Sequence, residues 1–275
     1  VTWLATLLAL GIPGSLGLPL RRAGCVGRLS RILPGQRRGG DLRAKAEGGE
    51  RKPWDFPRFV KTVATFSPPP SPLKLVKKIL GQENDRKISL GKGEAIWTAS
   101  NPLGISWAPL DDVVMGGVSR STFQVDGVVG RFSGFIDEAN NGGFTGVRTL
   151  PLDAPLDLTS CTGIQLRVKG DGKRYKCVIR DSPDFNGITW TSEFDTRSGA
   201  GGPFGVGGDQ WQTVRLPLSS FVATRFAKIL EGETLDSSQI WAVQLVLSKY
   251  AYDGALNPNF KPGDMELVVQ AVETY

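Results

Sequence analysis

Gly163-Ile164-Gln165-Leu166-Arg167-Val168-Lys169 and, a few residues on, Arg174-Tyr175-Lys176-Cys177-Val178-Ile179-Arg180 decide the fold class. Ile164, Leu166 and Val168 occupy alternate positions, with Arg167 and Lys169 on the opposite phase. A period of two is that of an extended chain with one face buried and the other solvated. Tyr175, Cys177 and Ile179 repeat it, and Gly170-Asp171-Gly172 reads as the hairpin turn between the two strands. Working outward, the same short alternating runs, bounded by turn residues, predict strands at 122–125, 128–135, 144–149, 187–195, 211–216, 239–247 and 265–274. Many short strands with few helical patterns define a sandwich. The expected fold is all-β, a jelly-roll-like β-sandwich over residues 94–275. The 35 glycines and 18 prolines supply its turns.

Charge divides the chain. Residues 1–92 carry 18 Lys/Arg against 6 Asp/Glu, net +12; residues 93–275 carry 15 against 21, net −6; together they give the +6 of the whole. The basic character therefore lies outside the predicted sandwich, whose acidic body lacks the electrostatic footprint of a general nucleic-acid binder. There is no histidine, which removes histidine triads, general bases and metal ligands. Cys25, Cys161 and Cys177 lack the close pairs of a zinc site. Cys161 and Cys177 either meet across neighbouring strands or sit as two small buried thiols. No metal and no cofactor is expected.

The basic extension has its own pattern. Residues 1–20 are uncharged but broken by Gly11-Ile12-Pro13-Gly14, which suits a signal-peptide core better than a membrane span. Residues 21–46 hold eight basic residues and one acid, Asp41, a composition typical of transit peptides. Residues 1–50 are thus expected to be a targeting segment and 51–93 a linker with short helices. One helix opens over 54–66. Ser67-Pro68-Pro69-Pro70-Ser71-Pro72 is a stiff extended spacer. A second helix is predicted over 71–82, with Leu73, Leu75, Val76, Ile79 and Leu80 beside Lys74, Lys77 and Lys78. It either lies on an anionic membrane surface or docks its stripe on the sandwich.

Within the sandwich the chemistry-bearing stretch is Asp111-Asp112-Val113-Val114-Met115-Gly116-Gly117-Val118-Ser119, followed by Asn140-Asn141-Gly142-Gly143-Phe144 and Arg148. Adjacent residues on a strand face opposite ways, so Asp111 and Asp112 make a poor acid–base pair. They are expected to cap turn N–H groups or to pair with Arg148 or Arg120. Gly116 and Gly117 are candidates for positive φ, and Gly117→Val is expected to disrupt the domain on that ground. The candidate binding or structural set is Asp111, Asp112, Met115, Gly116, Gly117, Ser119, Asn141, Gly143, Phe144 and Arg148. By fold analogy alone, Arg148, Asp111 and Asn141 are the candidates to line a ligand groove formed by loops at one end of such a sandwich. Ser119, Ser121 and Cys161 are the nucleophile types near these motifs, and no activating base accompanies them; no catalytic residue is assigned and no enzyme is expected. The Gly-rich stretch 196–208 is too irregular for a phosphate loop. Trp190, Trp211 and Trp241 are expected in the core; the rival reading is a solvent-facing row that stacks nucleobases. Phe221 to Leu230 reads as an apolar connection that covers the core edge or meets a partner.

The ordered set Asp111–Ser119, Asn140–Phe144 with Arg148, Arg167–Lys173 and Trp211-Gln212-Thr213-Val214-Arg215-Leu216-Pro217-Leu218 resembles the complex I intermediate-associated protein of 30 kDa family, over roughly residues 95–275. The resemblance implies a galactose-binding-like sandwich and a non-enzymatic assembly factor. Its partners would be protein subunits of a membrane electron-transfer complex or its assembly intermediate, photosynthetic or of the NADH dehydrogenase type. A small-molecule ligand is not implied. The run Asp111–Ser119 is similar to the plastid and cyanobacterial branch, which implies the chloroplast, with the mitochondrion as the alternative. Competing readings are a stable accessory subunit of a photosystem and an RNA-binding factor in plastid translation.

Overall fold

The computed structural model describes residues 55–68, 72, 79–80, 86–112, 116–198, 211–225 and 228–275, and of Asn141 the backbone alone. All the described residues fall in one compact unit, 50–275. The targeting segment expected over 1–50 lies outside the described residues. So do Met115, Phe226, most of the Gly-rich loop, and the 71–82 helix apart from Pro72, Ile79 and Leu80.

Helix α1 (Phe56–Phe66) fulfils the expectation for 54–66. Asp55 caps it by accepting from the Arg58 N–H at 3.0 Å, and Pro57 sits in the first turn, where a missing N–H costs nothing. Its one buried residue is Phe66; Phe56 and Val60 face outward.

The strands are β1 (Ile88–Ser89), β2 (Ala95–Thr98), β3 (Trp107–Pro109), β4 (Arg120–Asp126), β5 (Val129–Ile136), β6 (Phe144–Thr149), β7 (Leu156–Asp157), β8 (Gly163–Lys169), β9 (Arg174–Arg180), β10 (Thr189–Asp195), β11 (Gln212–Pro217), β12 (Val222–Arg225), β13 (Lys228–Ile229), β14 (Ala242–Ser248) and β15 (Gly263–Thr274). A seven-stranded sheet runs β13-β12-β10-β9-β14-β6-β3. A six-stranded sheet runs β11-β8-β15-β5-β4, with β2 on β15. Every pairing in the two sheets is antiparallel; β1 and β7 form a small parallel pair. This is the all-β sandwich expected. It begins before residue 94, because β1 pairs with β7 and Leu90 is buried in the core.

The core lies between the inner faces of the sheets. Ile164, Leu166 and Val168 of β8 meet Tyr175, Cys177 and Ile179 of β9 and Val243, Leu245 and Leu247 of β14 there. The Phe132 ring touches Tyr175 edge-on at 6.3 Å, one strand of each sheet contributing. At one edge Trp97, Trp107 and Phe123 cluster at centroid distances of 5.1–6.2 Å, each pair contributing about 1 kcal/mol beyond area burial. The twelve-residue β15 changes neighbour on one edge: Gly263–Val269 pair with β5, and Ala271–Glu273 pair with β2. Its other edge pairs with β8, with a register shift between Val269 and Ala271.

One sequence expectation fails here. Gly170-Asp171-Gly172 does not close a hairpin, because β8 pairs with β11 and β15 while β9 pairs with β10 and β14. The link crosses from one sheet to the other. Asp171 ties it down, accepting from the Tyr175 hydroxyl at 3.0 Å, Lys173 Nζ at 2.6 Å and the Glu266 N–H at 3.2 Å. Alternation reports which side of a strand is buried and nothing about which strand lies beside it. Within the Phe221–Leu230 stretch, read as a connection, lie two strands: β12 and β13 extend the seven-stranded sheet, with Phe221 and Ala223 in the core and Ile229 exposed at the edge.

Candidate functional site

Asp112 is 5% exposed and fully engaged. Its carboxylate accepts from the Ser119 N–H at 3.0 Å, the Ser119 hydroxyl at 2.8 Å, the Gly143 N–H at 2.9 Å and the Phe144 N–H at 3.2 Å. One buried charge thereby fastens the loop before β4 to the loop before β6, and the hydrogen bonds offset its desolvation. The glycines follow from this. A Cβ on Gly117 would lie 2.3 Å from Asp112 Cγ, and one on Gly142 would lie 2.6 Å from Asp112 Oδ2. Gly116, at φ 89°, supplies the left-handed turn. Gly117 is therefore required by close approach, not by the positive φ expected from the sequence. Asp111 serves the same junction: it accepts from Ser121 Oγ at 2.6 Å, the Ser121 N–H at 3.0 Å and Thr145 Oγ1 at 2.5 Å, bridging β4 of one sheet and β6 of the other.

The expected pairing of these carboxylates with Arg148 or Arg120 is not formed. Arg120 stacks on Phe135 at 5.2 Å. Thr145 and Val147 of β6 share a face with the core, and Arg148 points the other way, to the outer face of the seven-stranded sheet. The groove expected from Arg148, Asp111 and Asn141 is thus divided by the sheet itself as far as the first two are concerned. Asn140 adopts φ 58° and donates to the Gly116 carbonyl at 3.1 Å.

That outer face is the unusual surface. Register places Ala108, Arg148, Gln244, Val178 and Thr191 in one row across β3, β6, β14, β9 and β10. Arg180 stands on the neighbouring row, opposite Ala242. Ala108 at the edge strand is half-buried, but the other positions are buried although they lie outside the core cluster: Arg148 is 4% exposed, Arg180 6% and Gln244 6%. Arg180 donates to the carbonyls of Asp184 and Phe185 at 2.8–3.1 Å. Arg148 is held differently. Phe66 of α1 lies 5.2 Å from its guanidinium carbon and Phe185 5.8 Å, and among the described residues nothing accepts a hydrogen bond from it; its Nε is sealed without a partner. Burial, with the charge of Arg180 adding to it, pulls the Arg148 pKa down to about 9, so it stays cationic at neutral pH. Two ring contacts contribute about 1–2 kcal/mol each. Removing a guanidinium from water costs several, so the site is not self-sufficient.

Sequence reasoning found Arg148 but missed Gln244, Arg180, Phe66 and Phe185. A signal existed in Ala242-Val243-Gln244-Leu245-Val246-Leu247. A strand apolar on both phases is buried on both faces, so its lone polar residue had to lie on a covered outer surface. The remaining expectations resolve simply. Cys161 is half-buried and Cys177 buried, both free, with burial pushing the Cys177 thiol up to about 12. Trp190 is in the core and donates to Asp181 at 2.8 Å. Trp211 is half-buried beneath the Lys169 ammonium at 5.5 Å, and Trp241 is half-buried with its indole N–H unpartnered among the described residues.

The architecture defines the class, an all-β sandwich of two antiparallel sheets. The chain belongs to the complex I intermediate-associated protein 30 family, whose model matches residues 99–269. Among solved structures it is similar to the family 11 carbohydrate-binding module of the cellulosomal cellulase Lic26A-Cel5E of Clostridium thermocellum, at 15% identity, covering 67% of this chain and 95% of that one with a TM-score of 0.45. The solution structure of CtCBM11 is similar at 17% identity, 62% and 87% coverage and a TM-score of 0.40. PfGH50B is similar at 11% identity and a TM-score of 0.40, covering 66% of this chain but 23% of that one. These likenesses concern the course of the chain, at a level where neither ligand nor activity carries over. No curated protein matches the chain.

Proposed function

We propose that the chain is a non-enzymatic assembly factor that holds an unfinished membrane electron-transfer complex, of the NADH dehydrogenase or photosynthetic type, in the chloroplast or, alternatively, the mitochondrion. The observation that carries this reading is the family match, which spans almost the whole sandwich including Asp111–Ser119 and Arg148. The geometry is in keeping with it. The motif carboxylates are occupied in tying loops, while the outer face of the seven-stranded sheet offers buried, unneutralised chemistry that a macromolecular partner would complete.

Native separation of organellar membranes carrying the tagged full-length chain tests the reading. Co-migration with subcomplexes of the client and absence from the mature complex is the expected result. Stoichiometric presence in the mature complex would make the chain an accessory subunit instead. RNA crosslinks to the sandwich in place of either association would move it to translation control.

A further inference from the structure

We propose that Arg148 and Gln244 form a receptor for a single carboxylate, the side chain of an Asp or Glu on the client protein, which enters by displacing Phe66. The inference rests on the assembly-factor reading for the identity of the client, but the site itself is argued from geometry.

Arg148 and Gln244 are cross-strand partners in register between β6 and β14, which brings their side chains side by side on one face. Both are more than nine-tenths buried. Neither the guanidinium nor the Gln244 amide is hydrogen-bonded to a described residue, and Arg148 Nε is sealed. A guanidinium presents its donors as a planar fork that matches a carboxylate two bonds at a time. The amide N–H of Gln244, one strand over, is a third donor for the same group. Arg180 adds positive potential from the neighbouring strand while its own terminal nitrogens are occupied by carbonyls.

Shape favours a carboxylate over a phosphate. Phe66 and Phe185 flank the guanidinium at 5.2 and 5.8 Å, so a flat group fits beside one ring where a tetrahedral one would be crowded. Charge points the same way. Residues 93–275 are net −6, which repels a polyanionic surface or strand yet leaves room for one carboxylate at a local cationic pair. Phe66 is the movable part, because it is the one buried side chain of α1. Phe185 belongs to the loop whose carbonyls hold Arg180.

The test uses the isotope-labelled full-length chain, reading the Arg148 Nε–H and Gln244 amide resonances. Ac-Ala-Glu-Ala-NH2 should shift both saturably in the millimolar range expected of one charge-assisted contact. Ac-Ala-Gln-Ala-NH2 should bind at least tenfold more weakly. Arg148→Lys should lose most of the affinity, since an ammonium lacks the fork. Phe66→Ala should tighten binding about threefold or more by uncovering the fork. No saturable shift with the Glu peptide in either the parent chain or Phe66→Ala overturns the proposal. So does tighter binding of inorganic phosphate, or of vesicles containing anionic lipid, than of the Glu peptide. In organelles, a folded Arg148→Met chain should be lost from the client subcomplex. If the parent chain and Arg148→Met co-migrate with it equally, the carboxylate receptor is wrong and the assembly reading stands. If the parent chain itself joins no subcomplex, the assembly reading fails.

Discussion

Asp112 and Arg148 are both charged, both about 95% removed from solvent and both within the same family segment, yet their surroundings are opposite. Asp112 accepts four hydrogen bonds from two loops. Arg148 has two aromatic rings and, among the described residues, no acceptor. A buried charge with its bonds completed is architecture. One left incomplete lowers stability, and its place in the sheet is explained by what it can hold rather than by what it supports.

The sharpest way to break this contrast is Asp112→Ala. It strands the N–H groups of Ser119, Gly143 and Phe144, and a loss of about 4 kcal/mol is expected in denaturant unfolding. A loss near zero would mean the two loops hold without it. Next is Gly117→Val, whose Cβ must push the Asp112 carboxylate away; a loss of about 3 kcal/mol is expected. Arg148→Met should act in the other direction and raise the melting temperature, by the equivalent of about 1 kcal/mol. A fall would show that the guanidinium is structural. The smallest effect is expected of Asp195→Asn, which removes an exposed pair with Arg174 at 2.8 Å and should cost no more than about 0.5 kcal/mol. The Arg174 hydrogen bond lowers the Asp195 pKa. Its contribution is therefore present above the ordinary aspartate range and lost as pH falls through the lowered value. The difference between parent and Asp195→Asn should accordingly vanish in acid.

The strands were legible where alternation was long. β6, β8 and β9 begin and end at the residues expected from the sequence; for β8 and β9 this is because seven-residue runs such as Gly163–Lys169 leave no ambiguity of period. Short strands were not: β2, β3 and β13 have four, three and two residues, and β12 was hidden in an apolar connection. Pairing was illegible in principle, as the Gly170–Gly172 link shows. For the site, the capping role of Asp112 followed from the motif, because Asp beside Gly-rich turns has backbone N–H groups to satisfy. Its separation from Arg148 did not follow. Nothing in six residues of β6 states that the outer face is covered by α1 and by the loop after β9.

The incomplete bonding of Arg148 also bears on how much of this protein a cell retains. A partner that neutralises the guanidinium binds only the folded chain, and so protects it from unfolding and proteolysis by mass action. Copies without a client would be degraded first. Abundance would then follow the supply of unfinished complexes, rationing the factor by demand without a separate regulator.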